Sequence, residues 1–569
     1  MSPCRSDARR SGPIALAVVT AIATVISLFV GRTHDSRVAA PAPRTPKSVL
    51  TRPHKSVLSS YAPAASVAVH AVPAAPKPTT VGSSDQPAQP QSRAASPPSV
   101  GAAPTARPAA EVPTKTTAAA EPPPEGTDGS GRVPAETPTP PPEPLVISDA
   151  HVAALSPSTA QITWHTNLPA AARAGYGIDA PTVWAAPDSS GGLDHQTVLT
   201  GLAFSTTYQV WLHAVDEWNQ TQSAVLTLTT APMPGSTTAT TNGDRIVLDG
   251  QPFFPLAVWA QCSDAYDANI ADGINVFMGN GCGDDRQLPA RLGGRAFSIV
   301  DSNDADADGR GVIGWYFPDE WDAFLAGNVT RNDLRASIPE ARPGRISFLT
   351  LTNHFYSHAD PLPQGKGMYP TLYSLVDAVG FDLYPLQVWC RPAFGDVFDA
   401  QHELSDATGG KPTFQWIEVA PMEHACRNDP RLDPNVATVR AETWLAVAGG
   451  ADGIGYFPNH WKSEIGEEIA RTNRQIKALA PALLSPQVPA TADAPAVKVS
   501  ARTLNGALYV IAVNTSAAAV QTKISVEGIG GRSATVLGDG AVVGSDDTGF
   551  SDTFAPLAAK VYVIPPQGW

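Results

Sequence analysis

The sequence predicts a multidomain chain. A (β/α)8 barrel (TIM barrel) is flanked by two β-sandwiches and preceded by an N-terminal apolar helix and a disordered Pro/Ala-rich stalk. Three observations lead there. Eight near-continuous apolar runs recur between residues 255 and 457, with helical segments between most of them, the pattern of parallel strands buried on both faces. The stretches on either side alternate polar and apolar residues between turn residues, the pattern of half-buried antiparallel strands. Residues 38–144 are instead dominated by Pro, Ala, Thr and Ser, too few large apolar groups to offset the entropy of ordering the chain.

The first 37 residues form an export element. MSPCRSDARRSGP is basic, and residues 14–30 (IALAVVTAIATVISLFV) are uncharged and apolar. That core is longer than most cleaved signals and near the lower limit of a spanning helix. Arg5, Arg9 and Arg10 precede it, which favours a cytoplasmic N-terminus. An uncleaved membrane anchor is expected, with a cleaved signal and secretion as the alternative. Either way the bulk of the chain is placed outside the cell. Residues 38–144 (EPPPEG, TPTPPPEP) then serve as an extended stalk.

Residues 145–231 read as a first sandwich. Trp164 in ITW suits an inward-facing position, and LAFSTTY spaces Leu202, Thr206 and Tyr208 as in a tyrosine corner. Across its length this stretch resembles a fibronectin type III domain, which implies a spacer or weak binding module with no chemistry of its own.

Residues 240–484 carry the barrel. RIVLDGQPFFPLAVW opens it, and the eight runs are PLAVW (255–259), INVFMG (274–279), AFSIVD (296–301), VIGWYF (312–317), ISFLTLT (346–352), DAVGFDLYP (377–385), TFQWIEV (413–419) and ADGIGYF (451–457). Asp433 and Pro434 mark one helix start, and Ser463 with an acidic first turn marks another. SNDADADGRG, between the third and fourth runs, is too short for a helix. Residues 485–569 return to alternation, with Asn505-Gly506 as a hairpin turn, and predict a C-terminal β-sandwich.

The net charge of −14 with 16% charged residues excludes a nucleic-acid partner, since phosphate binding needs a basic face. Cys4 lies in the export element. Cys262, Cys282, Cys390 and Cys426 fall within the barrel without CxxC spacing; in an oxidising compartment they predict two disulfides rather than a zinc site. Four cysteines allow three connectivities. Their placement after neighbouring strands favours Cys262–Cys282 and Cys390–Cys426. DADADG (304–309) begins like a calcium loop, but its twelfth position is Trp315 where a Glu is required. No metal and no cofactor is expected.

Active sites of such barrels lie at the C-terminal ends of the strands. Glu320 follows the fourth run and Glu418 ends the seventh, so both are directed to one mouth. Glycosidic cleavage needs such a pair, one carboxyl holding a proton and one ionised. DGQPFFPLAVW, GWYFPDEWD, FDLYP, FQWIEV and ADGIGYF together resemble the clan A retaining glycoside hydrolases over about residues 244–569. The resemblance implies Glu320 as acid/base and Glu418 as nucleophile in a β-specific double displacement. Asp319 stands where many members carry Asn. Ionised Asp cannot donate to a sugar hydroxyl, but it can orient Glu320 or accept a hydroxyl proton. Tyr384, near the nucleophile, is expected to hydrogen-bond it. Asn353 and His354 follow the fifth strand, and Trp259, Trp416, Tyr456 and Trp461 lie at or beyond strand ends; all are candidates for sugar contact.

The sequence thus leads to an exported glycosidase with a carbohydrate substrate, acting as a monomer. A non-catalytic carbohydrate-binding or adhesion protein on a degenerate barrel is the rival. A metal hydrolase is disfavoured because His354 and His358 are the only close histidine pair near the strand ends.

Overall fold

The computed structural model describes residues 143–569, apart from 189–190, 326–331, 333–341, 423–425, 427–428 and 569. The expected anchor and the stalk up to residue 142 lie outside the described residues. Among the described residues no helix is long and apolar enough to cross a membrane.

The first sandwich pairs a three-stranded sheet (Ile147–Ser156, Thr159–Thr166, Asp194–Leu199) with a four-stranded one (Val183–Trp184, Ala170–Gly177, Thr207–Asp216, Thr221–Thr229). Strict alternation in Thr159–Thr166 and Thr207–Asp216 drives one face inward. Trp164 is 3% exposed in that core. The Ala203 N–H donates to the buried Tyr208 hydroxyl at 3.0 Å, the corner bond that the spacing predicts.

Residues 239–253, counted with the barrel from the sequence, form a separate three-stranded meander (Ala239–Asn242, Arg245–Leu248, Gln251–Phe253) ahead of the barrel's first strand. Gly243 and Gly250 take left-handed backbone at its two turns, where only glycine is unstrained. Ile246 and Leu248 join the cluster inside the barrel, and Phe253 packs edge-on against Phe297 at 5.1 Å. The meander therefore plugs the base.

The barrel is closed and parallel throughout. Its strands are Leu256–Gln261, Val276–Asn280, Phe297–Asp301, Val312–Tyr316, Ile346–Thr352, Ala378–Asp382, Thr413–Glu418 and Gly453–Phe457, one on each apolar run, with the first two running one or two residues past theirs. The lumen is filled by aromatic rings. Phe414 and Trp416, on the seventh strand, lie over Gly380 and Gly455 of the neighbouring strands. A methyl group at either glycine would stand 2.2 Å from the ring it faces. Each such buried ring contributes roughly 2–3 kcal/mol.

The helical shell is uneven. Only a short 3-10 turn, Ser302–Asp304, separates the third and fourth strands. Arg286 binds Asp304 at 2.8 Å and Asp306 at 2.7 Å, so a guanidinium holds the acidic run. One helix start is corrected: Val436–Gly449 is capped by Asn435, not Asp433. The Asn435 side chain accepts from Ala437 and Thr438 N–H, and Thr438 reciprocates to the Asn435 N–H, a capping box that Asp433 cannot form. Ser463–Leu483 begins as expected.

The C-terminal sandwich stacks a six-stranded on a three-stranded sheet, with Asn505 and Gly506 turning its central hairpin in left-handed backbone. Lys498 ties it to Asp399 of the helix Phe394–Ala407 at 2.7 Å, and Asn505 donates to the Trp184 carbonyl of the first sandwich at 2.7 Å. Both expected disulfides are present, Cys262–Cys282 and Cys390–Cys426. They join loops that follow strands one and two, and six and seven.

Candidate active site

The fourth strand ends at Tyr316, and Pro318 breaks the ladder. Glu320 is then held in left-handed backbone (φ 49°, ψ 40°) at the start of the short helix Trp321–Phe324, a strained state for a residue with a side chain. Its neighbours fix it there. Trp321 stacks on Phe317 at 4.9 Å. Asp322, fully buried, accepts from Thr352 N–H at 3.0 Å, Thr352 Oγ1 at 2.5 Å and Tyr369 hydroxyl at 3.0 Å. The end of the fourth strand is thereby stitched to the end of the fifth, with Glu320 between.

Asp382 ends the sixth strand beside Glu320, near enough that each carboxyl shifts the other. Its Oδ1 is buried and has no donor among the described residues. Burial and the fields of Asp319 and Glu320 push the Asp382 carboxyl well above the ordinary range, opposed by the Tyr384 hydroxyl. Burial likewise raises Glu320, with Asp322 adding to it and His354 and Asp382 opposing. Asp319 is raised to about 7, first by burial and then by Glu320. Asp319 keeps exposed surface beside the other two. Three neighbouring carboxyls oppose one another's ionisation, so their proton equilibria are linked.

His354 is half-buried. Its Nδ1–H donates to the Asp360 carbonyl at 2.5 Å, which leaves Nε2 as the other nitrogen, and its field lowers Glu320. Asn353 is 9% exposed in the adjoining 3-10 turn. Trp259 is half-buried and meets Tyr316 at 4.9 Å and Trp416 at 5.7 Å, both edge-on. The Tyr316 hydroxyl donates to Asp285 at 3.2 Å. Tyr384 stacks on Phe457 at 5.8 Å. Its hydroxyl lowers Asp382, and burial with the charges of Asp382, Asp319, Glu320 and Glu418 holds it well above the tyrosine range.

Glu418 differs from expectation. It ends the seventh strand as anticipated but has no accessible surface. Its Oε1 accepts from Leu386 N–H and its Oε2 from Gln387 N–H, each at 2.8 Å. Burial raises it to about 7, opposed by those two N–H groups and by Glu442. Glu442, 1% exposed on Val436–Gly449, is raised well above its ordinary value by burial and by Glu418. The two form an enclosed pair in which Glu418 raises the proton affinity of Glu442 and Glu442 opposes that of Glu418.

Two aromatic assignments are corrected. Trp416 is 2% exposed in the lumen and donates to Thr350 Oγ1 at 3.1 Å. Tyr456 alternates to the outer face, is fully buried, and donates to Asn473 Oδ1 at 2.7 Å. Both brace the wall rather than line the mouth. Trp461 is half-buried, packs beside Tyr456 and donates to Asp272 Oδ2 at 3.3 Å.

Sequence reasoning missed Asp382, Asp322 and Glu442. The signal for Asp382 was its position two residues before Tyr384, on the same strand face. Glu442 was the one carboxylate in the otherwise apolar half of its helix.

No protein-family model matches the chain, and no curated protein matches it. Solved structures similar to it include a Bacteroides fragilis protein provisionally described as an alpha-galactosidase/melibiase, at 13% identity and TM-score 0.38 over 74% of this chain and 98% of that one. A GH30 endoxylanase from Clostridium papyrosolvens is 14% identical with TM-score 0.37, over 58% of this chain and 99% of that one. A β-glucuronidase from Ruminococcus gnavus is 8% identical with TM-score 0.31, over 58% and 68%. At these values the likenesses carry no argument about activity.

Proposed function

We propose that this chain is an exported glycoside hydrolase acting on β-linked poly- or oligosaccharide, with the stalk and first sandwich as spacer. The observation that carries this is the convergence of Asp319, Glu320 and Asp382 at the open mouth of the barrel, with raised proton affinities. With the shared proton on Glu320, that proton goes to the leaving glycosidic oxygen. Asp382 is then the ionised carboxylate, which attacks the anomeric carbon or activates water. The Tyr384 hydroxyl and the His354 ring stand beside the pair and favour its ionised forms. Trp259 offers the sugar an apolar face. The β-linkage rests on the resemblance of GWYFPDEWD and FQWIEV to clan A.

A second reading makes Glu418 the nucleophile of a double displacement. Its strand position favours this, and Tyr384 feels both Glu320 and Glu418. The test is sugar release from a panel of β-glycans and aryl glycosides by the full chain and by Glu320→Gln, Asp382→Asn and Glu418→Gln. Loss in the first two with Glu418→Gln active supports the Glu320–Asp382 pair. Loss in Glu320→Gln and Glu418→Gln, with both variants folded and Asp382→Asn active, supports the second reading. A glycan bound by all four proteins and cleaved by none makes the barrel a binding module.

A further inference from the structure

Asp322 lies two residues beyond Glu320, in the short helix Trp321–Phe324, and has no accessible surface. A buried carboxyl usually finds a cation. Here no Lys, Arg or His bonds to it among the described residues, and hydrogen-bond donors take that place. Thr352, at the end of the fifth strand, gives two of them, and Tyr369, in the connection that follows, gives the third. The Asp322 carbonyl also accepts from Gln364 Nε2 at 2.8 Å. Side chain and main chain are thus both tied to the fifth strand and its loop. Burial raises the Asp322 carboxyl, and its three donors oppose the rise. A carboxyl that only accepts is arranged as the ionised form requires.

Both facts bear on Glu320. Its left-handed backbone is strained, and an anchored residue two positions on keeps the chain from relaxing. After burial, the charge of Asp322 is the cause that raises Glu320 most. Asp319, Asp382, His354 and Tyr384 also stand around Glu320, and Tyr369 and Tyr373 around Asp322. Of these, His354 opposes the rise in Glu320, whereas Asp319 and Asp382 share its protons. Asp322 is sealed from any ligand and supplied with donors, so its charge stays while theirs changes.

We infer that Asp322 is a positioning residue for Glu320. Its charge holds the shared proton on Glu320, and its anchors hold Glu320 in place beside Asp382. The inference rests on the reading of Glu320 as proton donor, but its first half can be measured without a sugar.

The experiment is a pH titration of the Glu320 carboxyl by NMR, in the full chain carrying carbon-13 at its glutamate carboxyls. The signal is the one lost in Glu320→Gln. Asp322→Asn is isosteric, since its amide oxygen can accept from Thr352 N–H while its NH2 donates to the Thr352 and Tyr369 hydroxyls. In this variant the Glu320 midpoint should fall by at least about 0.5 pH unit. In sugar release, the limb on which activity declines with rising pH should move down with it, and kcat on the low-pH plateau should stay within about threefold. Tyr369→Phe removes one anchor and keeps the charge, so kcat should fall about three- to tenfold with KM retained. It decides the matter if Asp322→Asn does not fold. An unmoved Glu320 midpoint in folded Asp322→Asn overturns the inference, and so does an unchanged kcat in Tyr369→Phe. A lowered midpoint in a chain that releases no sugar keeps the inference about Asp322 and sinks the hydrolase reading.

Discussion

Two carboxyl pairs lie in this barrel, one strand apart in order and opposite in circumstance. Glu320 and Asp382 face each other in an open mouth, with a buried Oδ1 lacking a donor and a backbone held in the left-handed region. Glu418 and Glu442 are sealed, and Glu418 is capped by two backbone N–H groups. Both pairs are raised by burial, and both hold buried oxygens without a hydrogen-bond donor among the described residues, Asp382 Oδ1 in one and both Glu442 oxygens in the other. What separates them is access and the capping of Glu418. The sealed pair braces the loop after the sixth strand, whereas the open pair can be reached by a ligand, as a reacting group must be.

Four experiments break or sharpen that contrast. Glu320→Gln should have the largest effect, a fall in sugar release of roughly 10³-fold, with a melting temperature unchanged or raised because a raised carboxyl has been neutralised. Asp382→Asn should cost roughly 10²-fold in kcat and shift the limb of the pH–rate profile that reports Glu320. An unshifted limb would show that the two do not share a proton.

Glu418→Gln should act on stability instead. A carboxamide oxygen can serve only one of the Leu386 and Gln387 N–H groups, and the other is left facing an NH2. The loss expected is about 2 kcal/mol, read by denaturant unfolding, with kcat nearly retained. A stable, inactive Glu418→Gln chain reverses the roles of the two pairs.

The smallest effect concerns pH. Glu418, raised to about 7 from 4.5, keeps its proton in the folded chain where the unfolded chain has released it. The stability this gives is full below about pH 4.5 and is lost as pH rises through 7. Asp452, buried and raised to about 8, acts in the same sense. Thermal stability should therefore decline from pH 5 to pH 8. Glu442→Gln keeps a donor to Glu418 but cannot ionise, so it should flatten part of that decline. An unchanged slope would detach Glu442 from the pair.

The eight strands were legible because a parallel strand buried on both faces has no choice of residue type, and PLAVW or ISFLTLT admits little else. The meander at 239–253 was absorbed into the barrel because its short strands carry the same β-forming residues as the strand that follows. The site was half legible. Glu320 stands out after a strand-breaking proline. Asp382 hides inside FDLYP, where one acid in an apolar run looks like a strand end, and only closure of the barrel brings it against Glu320. Trp416 and Tyr456 were placed at the mouth because position along a strand was readable and facing was not. The alternation that sends Tyr456 outward is invisible where both faces are apolar.

The rings of Phe414 and Trp416 rest directly on Gly380 and Gly455, two positions with no side chain to yield. Trp416 in turn supports Trp259. The floor of the cleft thus stands at a height fixed by two hydrogen atoms. Alanine at Gly455 would displace Trp416, and with it Trp259, without touching a carboxyl. The shape of the cleft is therefore adjustable from residues that never meet a ligand, and a lineage changing what enters the cleft would find an easy route there.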